Sequence, residues 1–171
     1  MSTLKWTEFT KKIHIHTSVE KLYWCWSTQE GITSWFLKDA KYKRNDNLII
    51  SNDDYLKAGD KYTWYWHNWD GQEEGTILEA NGTDYLRFSF AGTCEVEITI
   101  EKRDSAILLS LRQFKIPTDE QSKLQIFYGC SNGWTFWLAN LKAYLEHNIL
   151  LNETEIDLRG FELAGYQFVN M

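Results

Sequence analysis

The most constraining feature of this sequence is a series of short segments, between residues 61 and 114, in which apolar and polar side chains alternate. Alternation over about four to eight residues is typical of a strand with one buried face. Turn-forming residues separate the segments at hairpin spacing. The sequence therefore predicts an antiparallel meander whose strands share one apolar face. The predicted strands are 61–69, 73–79, 85–91, 94–103 and 106–114, and the turn signals are Asp70-Gly71, Asn81-Gly82 and Asp104-Ser105.

A long amphipathic helix is predicted after this series of strands. Pro117 ends the last strand, and Thr118 with Gln121 forms a capping box at the start of the helix, which is expected to end near Asn148. Because the apolar face of a sheet must be buried, and this helix is the largest helical element, we expect the helix to cover the sheet. Its apolar stripe comprises Trp134, Trp137, Leu138, Leu141 and Leu145.

The first part of the chain predicts a strand followed by two short helices. Residues 6–17 alternate between apolar and polar side chains, and Ser18 is a good N-cap. The helical spacing of segment 19–36 is interrupted, so we expect two short helices there. Further strands are predicted near 38–44 and 48–50. Together these elements predict an α+β fold of the helix-grip type, in which a curved antiparallel sheet wraps around a long C-terminal helix.

The length and the segment order predict one domain with a C-terminal extension. A chain of 171 residues fits one domain, and no linker or repeat divides it. We place the domain at residues 1–148. Residues 149–171 are expected to pack on it as an extension, because this segment is too apolar to remain free in water.

Charge and cysteine content restrict the partners and the compartment. The net charge of −6 disfavours nucleic acid, which needs a basic surface, and it disfavours anionic membranes. No apolar run approaches the ~18 residues that span a bilayer, and residues 1–12 lack the apolar core of a signal peptide. Cys25, Cys94 and Cys130 are widely spaced and odd in number, so we expect free thiols. These features predict a cytoplasmic protein with no nucleic-acid partner and no membrane insertion.

Two motifs resemble those of a known family. Segment 13–36 contains an alternating strand, Ser18-Val19 at the helix start, a Trp within the helix and a closing Trp35-Phe36. Gly133-Trp134 is followed at helical spacing by Leu138, Leu141 and Leu145-Glu146. In this order the motifs resemble the START-like (SRPBCC) superfamily, in particular the branch named for activators of the heat shock protein 90 ATPase.

The resemblance covers about residues 6–148 and implies a cavity between sheet and helix that holds a lipid-like or aromatic metabolite. Members of the superfamily include lipid carriers, polyketide cyclases, hormone receptors and co-chaperone domains, so the fold does not fix the function. The chain departs from the family pattern at Ala58-Gly59, where a Gly-Gly pair is usual, and in the segment past Asn148. Both departures affect the expected mouth of the pocket.

Aromatic side chains on the predicted inner faces are the candidate ligand-binding residues. Aromatic residues make up 16% of the chain, and such side chains commonly line ligand sites. Arg112 and Gln113 are successive on the last strand, so one of them should point inward and anchor the polar end of a ligand. The mouth is expected between loop 37–60 and the Asp70-Gly71 hairpin. The candidate residues are Trp35, Trp64, Trp66, Phe88, Phe90, Arg112, Gln113, Trp134, Trp137 and Leu141.

Other interpretations of the same residues are less specific. The aromatic side chains could simply fill the core, in which case the function lies on the surface. His14 and His16 share one face of a strand but lack a third ligand, so we expect no metal. Cys94 and Cys130 have no evident His partner, and buried small hydrophobes are expected there. No catalytic motif is present, so we expect a binding protein without a cofactor rather than an enzyme.

Three functions remain open at this point. The first is binding of an apolar or amphipathic small molecule. The second is an enzyme of the cyclase or hydratase type, which requires a buried ionisable residue with a perturbed pKa. The third is a protein-interaction domain for a chaperone or stress-response partner, which requires an exposed apolar patch of several hundred Å², as a rough size. The apolar C-terminal segment is compatible with a monomer or a homodimer.

Overall fold

The computed structural model describes residues 5–44 and 48–171, and their main feature is one antiparallel sheet. Its strands are β1 (Glu8–Ile15), β2 (Asp39–Arg44), β3 (Leu48–Ile49), β4 (Lys61–Tyr65), β5 (Glu73–Ala80), β6 (Tyr85–Phe90), β7 (Cys94–Arg103) and β8 (Ala106–Phe114). The order across the sheet is β1-β8-β7-β6-β5-β4-β2-β3. Because β4 to β8 are neighbours in chain order, the predicted meander is confirmed.

Two helices follow β1, and the remaining helices follow β8. They are α1 (Val19–Ser27), α2 (Gln29–Thr33), α3 (Glu120–Ser122), α4 (Gly129–His147) and α5 (Ala164–Gln167), and a π-helical segment, Lys123–Tyr128, joins α3 to α4. The α4 side chains that are buried include Trp134, Leu138 and Leu141. The long helix therefore turns its predicted stripe to the sheet, and the predicted helix-grip fold is confirmed.

The inner face of the sheet follows the alternation in the sequence. In β7, Val96, Ile98 and Ile100 are buried, and in β8 Leu109 and Leu111 are buried. The residues between them are partly or fully exposed. The two strands pair with Ile98 opposite Leu111, so their apolar side chains lie on one face. This face and the α4 stripe form the core of the domain.

The connection between β4 and β5 differs from the predicted tight hairpin. Pairing closes at Trp64 and Glu73, so Asp70-Gly71 lies inside a longer loop, residues 66–72. A Cβ atom at Gly71 would lie 2.3 Å from Cζ2 of Trp69. Gly71 therefore lets the Trp69 indole fold onto the loop, and packing of this side chain, rather than a two-residue turn, explains the glycine.

The long helix begins differently from the prediction. Asp119, and not Thr118, is the N-cap, and its side chain accepts a hydrogen bond from Ser122 N at 3.0 Å. The π-helical segment that follows interrupts α-helical geometry before Gly129. Such segments are rare, and they often lie next to functional sites.

The C-terminal segment, residues 149–171, is joined to the domain by hydrogen bonds between its backbone and two asparagine side chains of the domain. Leu151 N donates to Oδ1 of Asn140 on α4 at 2.6 Å, and Leu158 N donates to Oδ1 of Asn68 on the β4–β5 loop at 2.9 Å. The Leu158 side chain is buried. Many other apolar side chains of this segment are exposed, among them Ile149, Leu150, Leu151, Ile156, Phe161, Leu163, Tyr166 and Val169.

Within residues 5–44 and 48–171, none of the helices combines the length and the hydrophobicity that crossing a bilayer requires.

Candidate functional site

The space between sheet and helix is occupied by a cluster of aromatic rings, called here the aromatic interior. The Phe36 ring lies 5.3 Å from the Trp134 ring and 5.0 Å from the Trp137 ring, and the Phe90 and Trp134 rings are 5.4 Å apart, between centroids. These are contact separations for aromatic pairs. Trp134 of the helix therefore contacts the rings that face it, and these contacts occupy space in which the sequence analysis expected a cavity. The cluster comprises Trp26, Trp35, Phe36, Trp64, Phe88, Phe90, Trp134 and Trp137.

The structure brings most of the predicted site residues into this interior. Trp35, Trp64, Phe88, Trp134, Trp137 and Leu141 are buried. Trp66 lies just outside β4, partly buried, with its ring 5.5 Å from that of Phe36. Arg112 lies on the opposite face of the sheet, where it pairs with Glu8 and Glu97 and its side chain is 40% exposed. Of the two alternatives on β8, Gln113 is thus the inward one.

Gln113 combines complete burial with an unpaired polar atom. Its side chain is 0% exposed, and its Oε1 accepts a hydrogen bond from Trp134 Nε1 at 3.0 Å. Its Nε2 has no oxygen or nitrogen acceptor among the described residues, and its polar neighbours are the thiols of Cys94 and Cys130, which are weak acceptors. A buried donor left unpaired costs roughly 1–3 kcal/mol. Trp26 Nε1 is a second buried donor without a partner in the described part of the chain.

Three further polar or polarisable side chains lie near Gln113, and together the four are called here the polar end. Glu73 begins β5, Cys94 begins β7 and Cys130 lies in the first turn of α4. Because neighbouring strands are antiparallel, the starts of β5 and β7 and the end of β8 meet at one end of the sheet. Beside the larger effect of burial, hydrogen bonding from the Gln113 side chain lowers the pKa of both thiols, and the charge of Glu73 raises it.

Glu73 is an inward-facing carboxylate that sequence reasoning missed. It pairs directly opposite Trp64, so the two side chains share the inner face. Its Oε1 accepts a hydrogen bond from Ala91 N at 2.6 Å. Burial raises the pKa of the Glu73 carboxyl above its usual value, partly opposed by this hydrogen bond. Glu73 lies four residues before Ile77 on the same strand, and residues at this spacing share a face of the sheet. Because Ile77 is buried, this spacing could have indicated that Glu73 faces inward.

The two thiols at the polar end are neutral at physiological pH. Burial raises the pKa of the Cys130 thiol to about 11, although the Gln113 side chain acts in the opposite direction. Burial likewise raises the pKa of Cys94. A thiolate is the reactive form of cysteine, so these side chains are poor nucleophiles. They provide small, polarisable surface beside Gln113.

The surface also carries a groove that borders the aromatic interior. It has a volume of about 290 Å³ and lies between the β4–β5 loop and residues 154–159 of the C-terminal segment. Trp66 lines it and also contacts Phe36 of the aromatic interior. Across the described ranges, 5–44 and 48–171, no group of three metal-ligand side chains is present.

The element order, the gripping sheet and the inward polar group together define the class of protein. A helix-grip domain of the START-like type presents the interior between its sheet and its long helix as a scaffold for ligand binding. The described residues of this chain form that scaffold.

The family described as Activator of Hsp90 ATPase homolog 1-like protein matches residues 16–146, well over half of the chain. The chain therefore belongs to this family, as its sequence motifs predicted. The match ends before the C-terminal segment. No curated protein sequence resembles the chain closely enough to count as a match.

Several solved structures have a similar fold. The protein SSP2350 from Staphylococcus saprophyticus is 17% identical, with a TM-score of 0.66 over 84% of this chain and 94% of that chain. NE0264 from Nitrosomonas europaea is 15% identical, with a TM-score of 0.66 over 85% and 98%. The Aha1 protein of Colwellia psychrerythraea, solved as a dimer, is 18% identical, with a TM-score of 0.61 over 82% and 96%. At these identities the likeness supports the fold.

Proposed function

We propose that this protein binds an apolar or amphipathic small molecule in the aromatic interior, with the polar end of the ligand at Gln113. The observation that carries the proposal is the Nε2 of Gln113, which has only weakly accepting thiols beside it and lies at a position with no exposure to solvent. A buried amide donor without a partner is destabilising, so such groups are usually satisfied by something. A ligand oxygen that accepts from Nε2 would remove this penalty.

The contacts among the rings favour a ligand that itself carries a ring. Trp134 contacts Trp26, Phe36 and Phe90, and each aromatic pair contributes about 0.5–1.5 kcal/mol beyond the burial of its area. A ligand that separates Trp134 from these rings must replace those contacts. A flat aromatic or polycyclic molecule replaces them better than an alkyl chain does, because its two ring faces can contact the aromatic side chains on both sides.

Opening of the interior requires movement of the first turns of α4. The π-helical segment directly precedes this helix, and a Cβ atom at Gly133 would meet nothing within 4 Å. Both features lie beside Trp134, at the end of the helix that would have to move, whereas Leu141 in the second half is fully buried. In this proposal the ligand selects the opened state, and its binding energy includes the cost of populating that state.

The experiment compares two neighbouring residues that face opposite sides of the sheet. The fluorescent ketone prodan, a naphthalene with one carbonyl acceptor, is titrated into the wild type, Gln113→Met and Arg112→Met. We expect micromolar binding by the wild type and a loss of about tenfold in Gln113→Met, the value of one hydrogen bond near 1.4 kcal/mol. Arg112→Met should bind like the wild type, because Arg112 contacts Glu8 and Glu97 on the outer face.

The dye phenylnaphthylamine, which has no carbonyl, is the matched ligand control. Gln113→Met should change its affinity less than twofold, a rough limit set by the absence of an acceptor for Nε2. Equal weakening of both dyes would assign the effect to altered packing. Unchanged prodan binding in Gln113→Met would contradict the proposed role of the amide, and no binding of either dye would remove the proposed function.

A second candidate function is a protein contact through the C-terminal segment, with a chaperone or a second copy of the chain as the partner. The observation that favours it is the number of exposed apolar side chains there, including Leu163 at 57% and Val169 at 78%. Apolar surface that remains exposed often marks an interaction site. Light scattering with Leu163→Ser and Val169→Ser tests self-association. A molecular mass equal to one chain in the wild type would exclude the second copy, and a pull-down without a chaperone would exclude that partner.

The thiols fit the compartment that the sequence predicted. Cys25, Cys94 and Cys130 are all free, and Cys25 and Cys94 are buried. Free thiols persist in reducing compartments, and we propose a cytoplasmic location on this ground. Fractionation of the source cells tests it, and recovery of the protein outside the cytoplasm would contradict it.

A further inference from the structure

The Glu73 carboxylate places a negative charge at the polar end. It faces inward opposite Trp64 and is only partly exposed. One oxygen accepts from Ala91 N at 2.6 Å. Among the ion pairs formed by residues 5–44 and 48–171, none involves Glu73. A charge beside aromatic rings interacts more strongly with a neighbouring charge than it would in water.

The side chains that face Glu73 from neighbouring elements do not compensate this charge. They are Tyr62 from β4, Cys94 from β7 and Cys130 from α4. None of the three becomes positively charged. Burial raises the pKa of each, so all three are neutral at physiological pH. A ligand at the polar end therefore meets one negative charge and no positive one from this set.

Gln113 gives the second, independent feature of the polar end. Its Nε2 is a buried donor without an oxygen or nitrogen acceptor among the described residues, and it lies at the same end of the sheet as Glu73. The polar end thus offers one donor and one charged acceptor. A carbonyl or ether oxygen suits Gln113, and a hydroxyl or an N–H group suits Glu73. A carboxylate or a sulfonate suits neither position well, because it would lie near a like charge.

We propose that Glu73 makes the aromatic interior selective for ligands whose polar end is neutral or cationic and excludes carboxylates such as free fatty acids. The inference rests on the proposed function and names the class of ligand that the same site accepts. Glu73 is a specificity-determining residue in this proposal. Gln113 orients the ligand, whereas Glu73 decides which polar groups are tolerated.

The test uses two dyes with one ring skeleton that differ by a single charge. Phenylnaphthylamine is neutral and carries an N–H donor, and anilinonaphthalene sulfonate adds one sulfonate to the same rings. Both are titrated into the wild type and Glu73→Gln at neutral pH. Gln at this position keeps an oxygen for Ala91 N and removes the charge. The control is Glu74→Gln, because Glu74 is the exposed neighbour on the outer face.

The wild type should bind the neutral dye at least about tenfold more tightly than the sulfonate. In Glu73→Gln the sulfonate should gain roughly tenfold in affinity, while the neutral dye changes less than about twofold. Glu74→Gln changes the net charge by the same amount but should bind both dyes as the wild type does. This control therefore separates the effect of the charge at the polar end from the effect of the net charge of the protein.

The possible failures are distinguishable. If Glu73→Gln and the wild type show the same ratio of affinities, charge selection is overturned and ligand binding stands. If Glu74→Gln shifts the ratio as much as Glu73→Gln, the effect is long-range and the proposal is likewise overturned. If neither dye binds to any variant, both this inference and the proposed function are overturned.

Discussion

The aromatic interior and the C-terminal segment are both rich in large apolar side chains, but the protein holds them in different ways. In the interior, Phe36 is 3% exposed and contacts five other aromatic rings. In the C-terminal segment, Phe161 is 55% exposed and meets only Phe168, edge to face, among the described aromatic rings. Composition alone therefore does not distinguish a buried aromatic core from a surface segment. The number of aromatic rings that surround each side chain distinguishes the two regions.

The two regions also differ in their polar contacts. The interior leaves one amide donor, Gln113 Nε2, without an oxygen or nitrogen acceptor among the described residues, whereas two asparagines that bond to the C-terminal segment have both side-chain polar atoms paired. Asn140 Nδ2 donates to Trp35 O at 2.5 Å and its Oδ1 accepts from Leu151 N. Asn68 Nδ2 donates to Glu153 O at 3.1 Å and its Oδ1 accepts from Leu158 N. The proposed ligand would supply the oxygen acceptor that Gln113 lacks, whereas both asparagine side chains already pair within the protein.

The largest effect is expected from truncating the same residue type in the two regions. Phe36→Ala should lower the free energy of unfolding by about 3–5 kcal/mol, because it removes contacts to five rings and leaves a cavity. Phe161→Ala should lower it by less than ~1 kcal/mol. Urea unfolding measures both. Similar losses in the two variants would break the distinction between core and surface segment.

A smaller loss is expected at Asn140, which serves both regions. Asn140→Ala removes the side-chain partners of Trp35 O and Leu151 N, and these buried or partly buried groups are then left unpaired. The expected loss is about 2–3 kcal/mol. Asn132→Ala, on an exposed part of the same helix, is the control and should stay within ~0.5 kcal/mol of the wild type. Equal stability of the two variants would show that Asn140 does not fix the segment.

A local effect is expected at Asn68, with little change in global stability. This residue has a φ of 59°, so glycine keeps the backbone conformation while removing both side-chain hydrogen bonds to the C-terminal segment. Asn68→Gly should speed hydrogen exchange at the Leu158 amide by about tenfold, the equivalent of ~1.4 kcal/mol. Asn148→Gly, at another left-handed position with φ of 55°, is the matched control. Unchanged exchange at Leu158 would contradict the proposal that residues 149–171 form an extension packed on the domain.

The smallest effect is a pH dependence at Glu73. Because burial raises the pKa of its carboxyl in the folded state, the folded protein binds the proton more tightly than the unfolded chain does. The stabilisation of the folded state by the protonated Glu73 carboxyl is therefore present at acidic pH and is lost as pH rises through the folded-state pKa. Glu73→Gln should be more stable than the wild type at neutral pH, and the difference should shrink on acidification. A difference that grows on acidification would contradict an inward-facing, desolvated Glu73.

Much of the fold could be predicted from the sequence because period and spacing encode it. The alternation in β7 and β8 and the stripe through Trp134 gave the meander, the long helix and their facing sides. The register of the β4–β5 connection could not be predicted in the same way, because Trp69 packing on Gly71 lengthens the loop. The π-helical segment was also missed, since apolar periodicity does not distinguish it from the start of an α-helix.

The candidate site was predictable in its aromatic part and incomplete in its polar part. The alternation of apolar and polar residues predicts which aromatic side chains face inward. It also predicts that only one of Arg112 and Gln113 faces inward, and Gln113 is the buried one. Glu73 was missed because its face depends on the loop register, which places it opposite Trp64. The ring contacts at Trp134 depend on side-chain rotamers, and no sequence period specifies how closely facing rings approach.

The central claim is that the polar end of the aromatic interior, rather than the exposed surface, receives the ligand. The most direct measurement is a nitrogen–proton correlation spectrum of the labelled full chain during titration with prodan. The indole signal of Trp134 and the side-chain amide signal of Gln113 should shift together, because the two groups share a hydrogen bond, while Trp69, 48% exposed, stays unchanged. Shifts confined to Trp6 and Trp69, with Trp134 and Gln113 unmoved, would contradict the account.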